Sequence, residues 1–291
     1  MAYHTTPYLL LFLPAALLFY QITPAKWRSY TLLIFSYLFF WSFSEKLIIY
    51  LIGTTFLTHH ICIWMDTMDK RDKRKKRVLQ LGIFLLLGTI LCLKYRNFFF
   101  GNVSKLAMAL HIDWSYQDQL IFLPIGISFY TLSAIGYMAD VYWGKVKAEY
   151  SLVKTALFLG FFPVIVEGPI CRWEDVEDTL FKNESVKAEN VFKGCYRIIW
   201  GLFKKMIIAD RLAVLVDKVY VGYESYSGAV IVAAAISYTI QLYMEFSGCM
   251  DMVIGSAGLF GIRLPENFSQ PFFAKTCTDF WKRWHITLGV W

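Results

Sequence analysis

Charge is what this sequence has least of. Only 18% of its 291 residues are Asp, Glu, Lys or Arg, against about 25% in an ordinary soluble chain. Apolar residues make up 57% and aromatic residues 18%. That leaves too little polar surface to coat a sphere, and the mean hydropathy of +0.46 points the same way, to an integral membrane protein. Disorder, a collagen-like repeat and a secreted disulfide scaffold are excluded by the same composition. CxxC pairs are missing too. The six cysteines, Cys62, Cys92, Cys171, Cys195, Cys249 and Cys277, lie mostly in or beside apolar runs and read as buried small hydrophobes, so neither a metal site nor a disulfide frame is expected. No GxGxxG, P-loop or GxSxG occurs, which removes the nucleotide folds. No internal repeat favours a transporter. The first charged residue is Lys26, so the stretch 7–22 lacks the positive region of a cleavable leader and is expected to be a retained helix with its N-terminus outside.

What charge there is sits unevenly. The net charge is +7, and the block 66–77, with seven Lys/Arg and three Asp, supplies +4 of it. A basic block between apolar spans reads as a cytoplasmic loop near anionic lipid, so membrane lipid is the expected partner and nucleic acid is not. Uncharged runs follow at 29–44, 47–65, 78–93, 119–139 and 225–244. About 20 residues at 1.5 Å each cross a bilayer. The longer runs meet that, and the shorter ones need tilt or a thinned bilayer. Lys26 and Arg28 after the first span, Lys46 after the second and the block after the third give out–in–out–in for the first 95 residues.

Three stretches fit no ordinary span. Residues 155–166 are apolar but short and contain Pro163; residues 196–213 carry Arg197, Lys204, Lys205, Asp210 and Arg211 in an apolar frame; residues 252–262 are short and glycine-rich. Half-membrane or re-entrant helices are the expected reading, covered by protein or a water-filled cavity. The fold class is therefore all-α and polytopic, with tilted transmembrane helices and short re-entrant pieces around a central chamber. Residues 1–291 form a single membrane domain in this reading, and 171–195 is a short polar loop.

Polar residues at membrane depth mark the candidate site. Ser237, Gln241 and Glu245 recur every four residues and share one helix face. Either they line a tunnel or they hydrogen-bond helix to helix. Asp251, past a break expected at Ser247-Gly248, is a second buried acid or the cap of a following short helix. In TDFWKRWHITLGVW (278–291), read as one helix, Trp281, Lys282, His285 and Gly289 fall on or beside one face, and Asp279 can pair with Lys282 or Arg283. Trp281 and Trp284 would shield His285 and keep it neutral, as a base or hydrogen-bond acceptor must be. An interfacial Trp/Arg belt with an incidental histidine fits the spacing as well. His59 and His60, adjacent in sequence, point to different faces and cannot clamp one metal.

At these residues the chain resembles the membrane-bound O-acyltransferases, in particular the bacterial branch that O-acetylates exported polysaccharides such as alginate. The resemblance rests on LPIGISFYTLSAIGYMADVY (123–142), FFPVIVEGPICRW (161–173), GLFKKMIIADRLA (201–213), YTIQLYMEFSGCMDMVIGSAGLFGIRLPENFSQPF (238–272) and FWKRWHITL (280–288). It covers most of 120–291, and residues 1–95 agree in hydropathy and spacing alone. The relative that transfers D-alanine toward teichoic acid shares much of the pattern. The resemblance implies helices around a thinned centre, with funnels from both sides. It implies a catalytic histidine at His285, and a second histidine on an apolar helix some tens of residues further on. That second position lies past Trp291, so the chain is expected to be the N-terminal part of a longer enzyme and inactive by itself. Gly289 departs from the Ser or Thr usual after the motif, and Glu245 stands where Asp is common.

The activity so implied is transfer of an acyl group, in the first place acetyl, from acetyl-CoA or another cytosolic thioester. The acceptor is a cell-surface polysaccharide or a carrier protein, an extracytoplasmic acyltransferase is a further expected partner, and no bound cofactor is expected. In this reading His285 orients substrate or donates to the oxyanion, the downstream histidine is the base, and Gln241, Glu245, Asp251, Trp281, Arg283 and Trp284 support the site. The expected location is a bacterial plasma membrane. A carrier that couples protons through Glu245 and Asp251, and a non-catalytic membrane scaffold, are the competing readings.

Overall fold

The computed structural model describes residues 2–69, 72–114, 116–117 and 123–291. Among these every regular element is helical; the only β-type pairing is an isolated antiparallel bridge between Phe268 and Trp284. In chain order the helices are α1 (Leu13–Ile22), α2 (Arg28–Ser44), α3 (Ile48–Asp66), α4 (Lys73–Lys94), α5 (Arg96–Ala109), α6 (Ile127–Trp143) and α7 (Leu152–Gly160). Then come α8 (Trp173–Leu180), α9 (Ala188–Leu202), α10 (Asp210–Val221), α11 (Gly228–Leu259), α12 (Cys277–Arg283) and α13 (Ile286–Val290). Among the described residues three segments are long and apolar enough to cross a membrane: Ala25–Asp66, Lys73–Lys94 and Gly228–Leu259. The chain is an all-α membrane protein.

It divides into two compact units, Ser36–Gly160 and the remainder, made of the residues up to Phe35 together with Phe161–Trp291. In the first unit α3, α4 and α6 pack together with α7 alongside α3. Gly82 of α4 brings that helix close to Met138 and Ile61, where a Cβ would lie 2.9 Å from the Met138 sulfur. His59 is buried and its Nδ1 lies 3.1 Å from the Thr155 hydroxyl, whereas the exposed His60 turns to the Phe56 carbonyl. The expected span 119–139 is described only from residue 123, and its helix starts at Ile127; residues 119–122 lie outside the described residues. Of the block 66–77, Lys70 and Arg71 lie outside them too. The block is not a loop throughout, because Lys73 to Arg77 open α4, with Asp72 accepting from the Arg74 amide.

The second unit holds the candidate site. Its axis is the pairing of α11 with a second long helical run, α9 continuing through a π-helical segment (Phe203–Ala209) into α10. The two runs are antiparallel: Gly194 meets Gly255, and Gly201 meets Gly248. Without side chains the backbones approach until a Cβ on Gly201 would sit 2.5 Å from the Gly248 carbonyl oxygen and 2.9 Å from the Met252 amide nitrogen. Small residues seven apart on both helices make a close seam of the kind that joins helices in a bilayer. Gly201→Ala is expected to cost about 1–3 kcal/mol, because both obstructing atoms are backbone and cannot rotate away. Thermal unfolding in detergent measures it, and an unchanged midpoint would contradict the seam.

Four expectations need correction. Ser247-Gly248 is no break: α11 runs unbroken for 32 residues. What changes there is burial, because residues 228–246 are mostly uncovered while 247–257 are all buried, and Gly248 is helical because it faces Gly201. Residues 252–262 are accordingly the end of α11 and a turn, not a separate re-entrant piece. Residues 196–213 belong to the continuous run of α9, the π segment and α10, of whose charges Arg197, Lys204 and Lys205 find partners on α11. Lastly, 171–195 is not a loop, since it contains α8 and the first turns of α9. Residues 155–166 do stop short: α7 ends at Gly160, three residues ahead of Pro163, and turns follow. The proline restricts the residue before it and has no amide hydrogen to continue a helix.

Candidate active site

The C-terminal half of α11 presents two working faces. One carries Glu245 and Asp251 toward α9 and the π segment. Asp251 accepts from Lys204 Nζ at 2.6 Å and from Arg197 Nε at 3.1 Å. Arg197 then grips Glu266 with both terminal nitrogens at 2.6 Å. Lys205 lies 2.8 Å from both Glu245 and Asp210. Lys204 and Lys205, consecutive in the π segment, reach two different acids on α11. Three cations thus meet four carboxylates, and neither Glu245 nor Asp251 is free. Of the two readings of the polar stripe, Glu245 follows the helix-to-helix one. Gln241 differs: its Oε1 is buried with no partner among the described residues.

Tyr243, Ser247, Met250 and Asp251 line a polar cavity of about 320 Å³, closed on the other side by Glu266, Phe268, Ser269 and Gln270. The Ser247 hydroxyl is buried and unpartnered among the described residues. Arg197 and Glu266 also line a neighbouring cavity of about 620 Å³, together with Lys187, Asn190 and Arg263.

The other face of α11 meets the segment that carries the histidine. The expected single helix over 278–291 is in fact two, α12 and α13, with His285 between them in the left-handed region at φ +49°, ψ +53°. Trp284 leaves α12 extended and bridges to Phe268, and Ser269 N donates to the Arg283 carbonyl at 3.0 Å. The His285 ring sits edge-on to Phe246 with centroids 4.9 Å apart, and its Nδ1 is buried without a partner among the described residues. Burial holds its pKa below the ordinary value and favours the neutral ring. Trp284 packs among Tyr243, Phe268, Phe272 and Phe280. Trp281 does not shield the histidine, because it is 64% exposed and touches Phe280. Once the helix breaks at 284–285, residues 281 and 285 no longer share a face. Arg283 pairs with Asp279 at 2.9 Å, and that bond holds the Asp279 carboxyl below its usual range. Thr276 caps α12 by accepting from the Asp279 amide at 3.1 Å.

Sequence reasoning missed Arg197 and Lys204 as partners of Asp251, and missed Asn267 and Thr287 altogether. Arg197 and Lys204, seven apart in an apolar frame, were a usable signal; nothing local marks a buried loop asparagine. Among the described residues no group of three His, Cys, Asp or Glu side chains could hold a metal ion.

The model of MBOAT, the membrane-bound O-acyltransferase family, matches residues 146–291. The chain belongs to this family. It is 34% identical over 291 residues to the probable alginate O-acetylase of Pseudomonas aeruginosa, covering all of this chain and 55% of that protein. It is 30% identical over 324 residues to the peptidoglycan O-acetyltransferase of Helicobacter pylori, covering 99% of this chain and 59% of that one. The teichoic acid D-alanyltransferase of Bacillus subtilis is 29% identical over 173 residues, 57% of this chain and 43% of its own length. The chain thus spans little more than half the length of the acetyltransferases it matches. The O-acyltransferase match takes in α7 to α13, and with them the ion-pair network, the cavity and His285.

Proposed function

We propose that this chain belongs to an enzyme that moves an acyl group, in the first place acetyl, from a cytosolic thioester to hydroxyls of an exported cell-surface polysaccharide or to a relay carrier. The observation that carries the reading is the His285 imidazole, half-buried, neutral by preference and with a buried Nδ1 that has no partner among the described residues, on the loop between α12 and α13. In the transfer the acceptor hydroxyl adds to the thioester carbonyl as a base takes its proton. The tetrahedral oxyanion then collapses, the C–S bond breaks, and the departing sulfur takes up a proton. His285 orients the acceptor or donates to the oxyanion, and the second histidine implied by the family resemblance is the base. Acetyl-CoA or another acyl thioester is the donor, with no resident cofactor. A separate extracytoplasmic acyltransferase receives the group where a relay is used.

The setting is a bacterial plasma membrane, crossed several times with the N-terminus outside, and a chamber at the bilayer centre lets the cytosolic donor and the outside alcohol meet. Named relatives that acetylate alginate or peptidoglycan support acetyl over D-alanyl. The pairing of both Glu245 and Asp251 with lysines speaks against a carrier that shuttles protons on free acids.

The test is transfer of label. Membranes containing the whole enzyme to which this chain belongs are given a thioester with a radiolabelled acetyl group, and the polysaccharide fraction is counted. Ester-linked, base-labile counts above those of membranes lacking the protein are expected. Labelled D-alanine transferred in place of acetate would change the acyl group, and no transfer of either would overturn the reading.

A further inference from the structure

We propose that Asn267 and Thr287 are positioning residues for the His285 imidazole, forming a buried clamp that forces the helix break on which its placement depends; this rests on the catalytic reading of His285 above. A histidine at φ +49° is strained, because the left-handed region crowds Cβ against the backbone, and such a residue persists only where its surroundings over-determine it. Here they do. Asn267 is fully buried; its Oδ1 accepts from the Thr287 hydroxyl at 2.6 Å and the Thr287 amide at 3.1 Å, and its carbonyl accepts from the Ile286 amide at 3.0 Å. Its Nδ2 donates to the Met250 sulfur of α11 at 3.1 Å. The Thr287 oxygen in turn accepts from the Ile170 amide at 3.1 Å. One asparagine and one threonine thereby tie three separate stretches of chain to the two residues that follow the histidine.

The local sequence has the opposite preference. FWKRWHITL reads as one uninterrupted helix, and returning the extended Trp284 and the left-handed His285 together to right-handed helical geometry would fuse α12 with α13. That rotation turns the Cα–Cβ bond of His285 and carries the ring away from Phe246. The clamp therefore selects the less favoured backbone state and holds the ring in it. Residues that touch no substrate can govern the rate in this way, because misplacing a reacting group by about 1 Å costs on the order of 10²-fold.

Thr287→Val keeps the shape and removes the hydroxyl. In membranes containing the whole enzyme to which this chain belongs it is expected to lower kcat for acyl transfer about 10²-fold, with KM for the thioester unchanged. The acid limb of the rate should move to higher pH as the ring gains water. Thr287→Ser, which restores the hydroxyl, should recover turnover and the original limb. Thr287→Ala is read the same way should the valine variant fail to accumulate. His285→Ala runs beside them. If it is inactive while the valine and alanine variants keep wild-type kcat and pH profile, the clamp is overturned and the catalytic reading stands. If His285→Ala itself turns over at the wild-type rate, the catalytic reading falls first.

Discussion

His285→Ala is expected to reduce acyl transfer about 10²–10³-fold, the loss typical of removing one pre-placed hydrogen-bonding group from an acyl-transfer site. The fold should survive, since the ring makes no hydrogen bond through Nδ1 among the described residues and packs edge-on against Phe246. His285→Gln, which keeps a polar end, should recover part of the rate. The pH dependence has a definite sign. Burial lowers the ring's pKa from its ordinary 6.5, so the neutral form persists to more acid pH than for a free imidazole, and protonation of His285 bears on the rate only below pH 6.5. Turnover by the alanine variant at the wild-type rate would remove His285 from the chemistry.

Asp251→Ala carries the largest expected cost in stability. Asp251 and Lys204 are largely buried, with side-chain exposures of 12% and 14%, and deletion of the carboxylate strands the ammonium of Lys204 against α11. Breaking a buried pair from one side costs about 3–5 kcal/mol, most of it the penalty of the charge left behind. Arg197 is cushioned because it keeps its two bonds to Glu266. A second substitution therefore discriminates: Asp251→Leu combined with Lys204→Leu leaves no cation without a partner and should regain much of the loss. Thermal unfolding in detergent for the two single variants and the double variant closes the cycle. Simple additivity would mean that the two side chains do not act as a pair. Transport coupled to protonation of Asp251 would predict instead that Asp251→Asn changes pH dependence and leaves the fold alone.

The helices themselves were legible from hydropathy. A continuous apolar run in lipid has one way to satisfy its amides, so most described spans agree with the sequence to within a few residues. The motifs around 161–173, 201–213 and 280–288 likewise pointed to the acyltransferase family, and the comparison with known proteins bears that out. Where the reading failed, it failed at joints. Ser247-Gly248 looked like a break because glycine is a poor helix former. The sequence does not show that Gly201 lies across from it, which is why a helix with no side chain at that position is the stable arrangement. Conversely, 278–291 looked like one helix because its periodicity is good, and it is two because Asn267, far along the chain, takes the hydrogen bonds that would continue it.

Composition and periodicity alone determined that this is an all-α membrane protein with a tryptophan-flanked histidine near Trp291, because burial in lipid acts on each segment separately. The partners of Asp251, the close glycine seam between α9 and α11, and the left-handed histidine were decided by tertiary structure. Each depends on groups brought together from distant parts of the chain, and pairwise contacts of that kind leave no periodic trace in either segment.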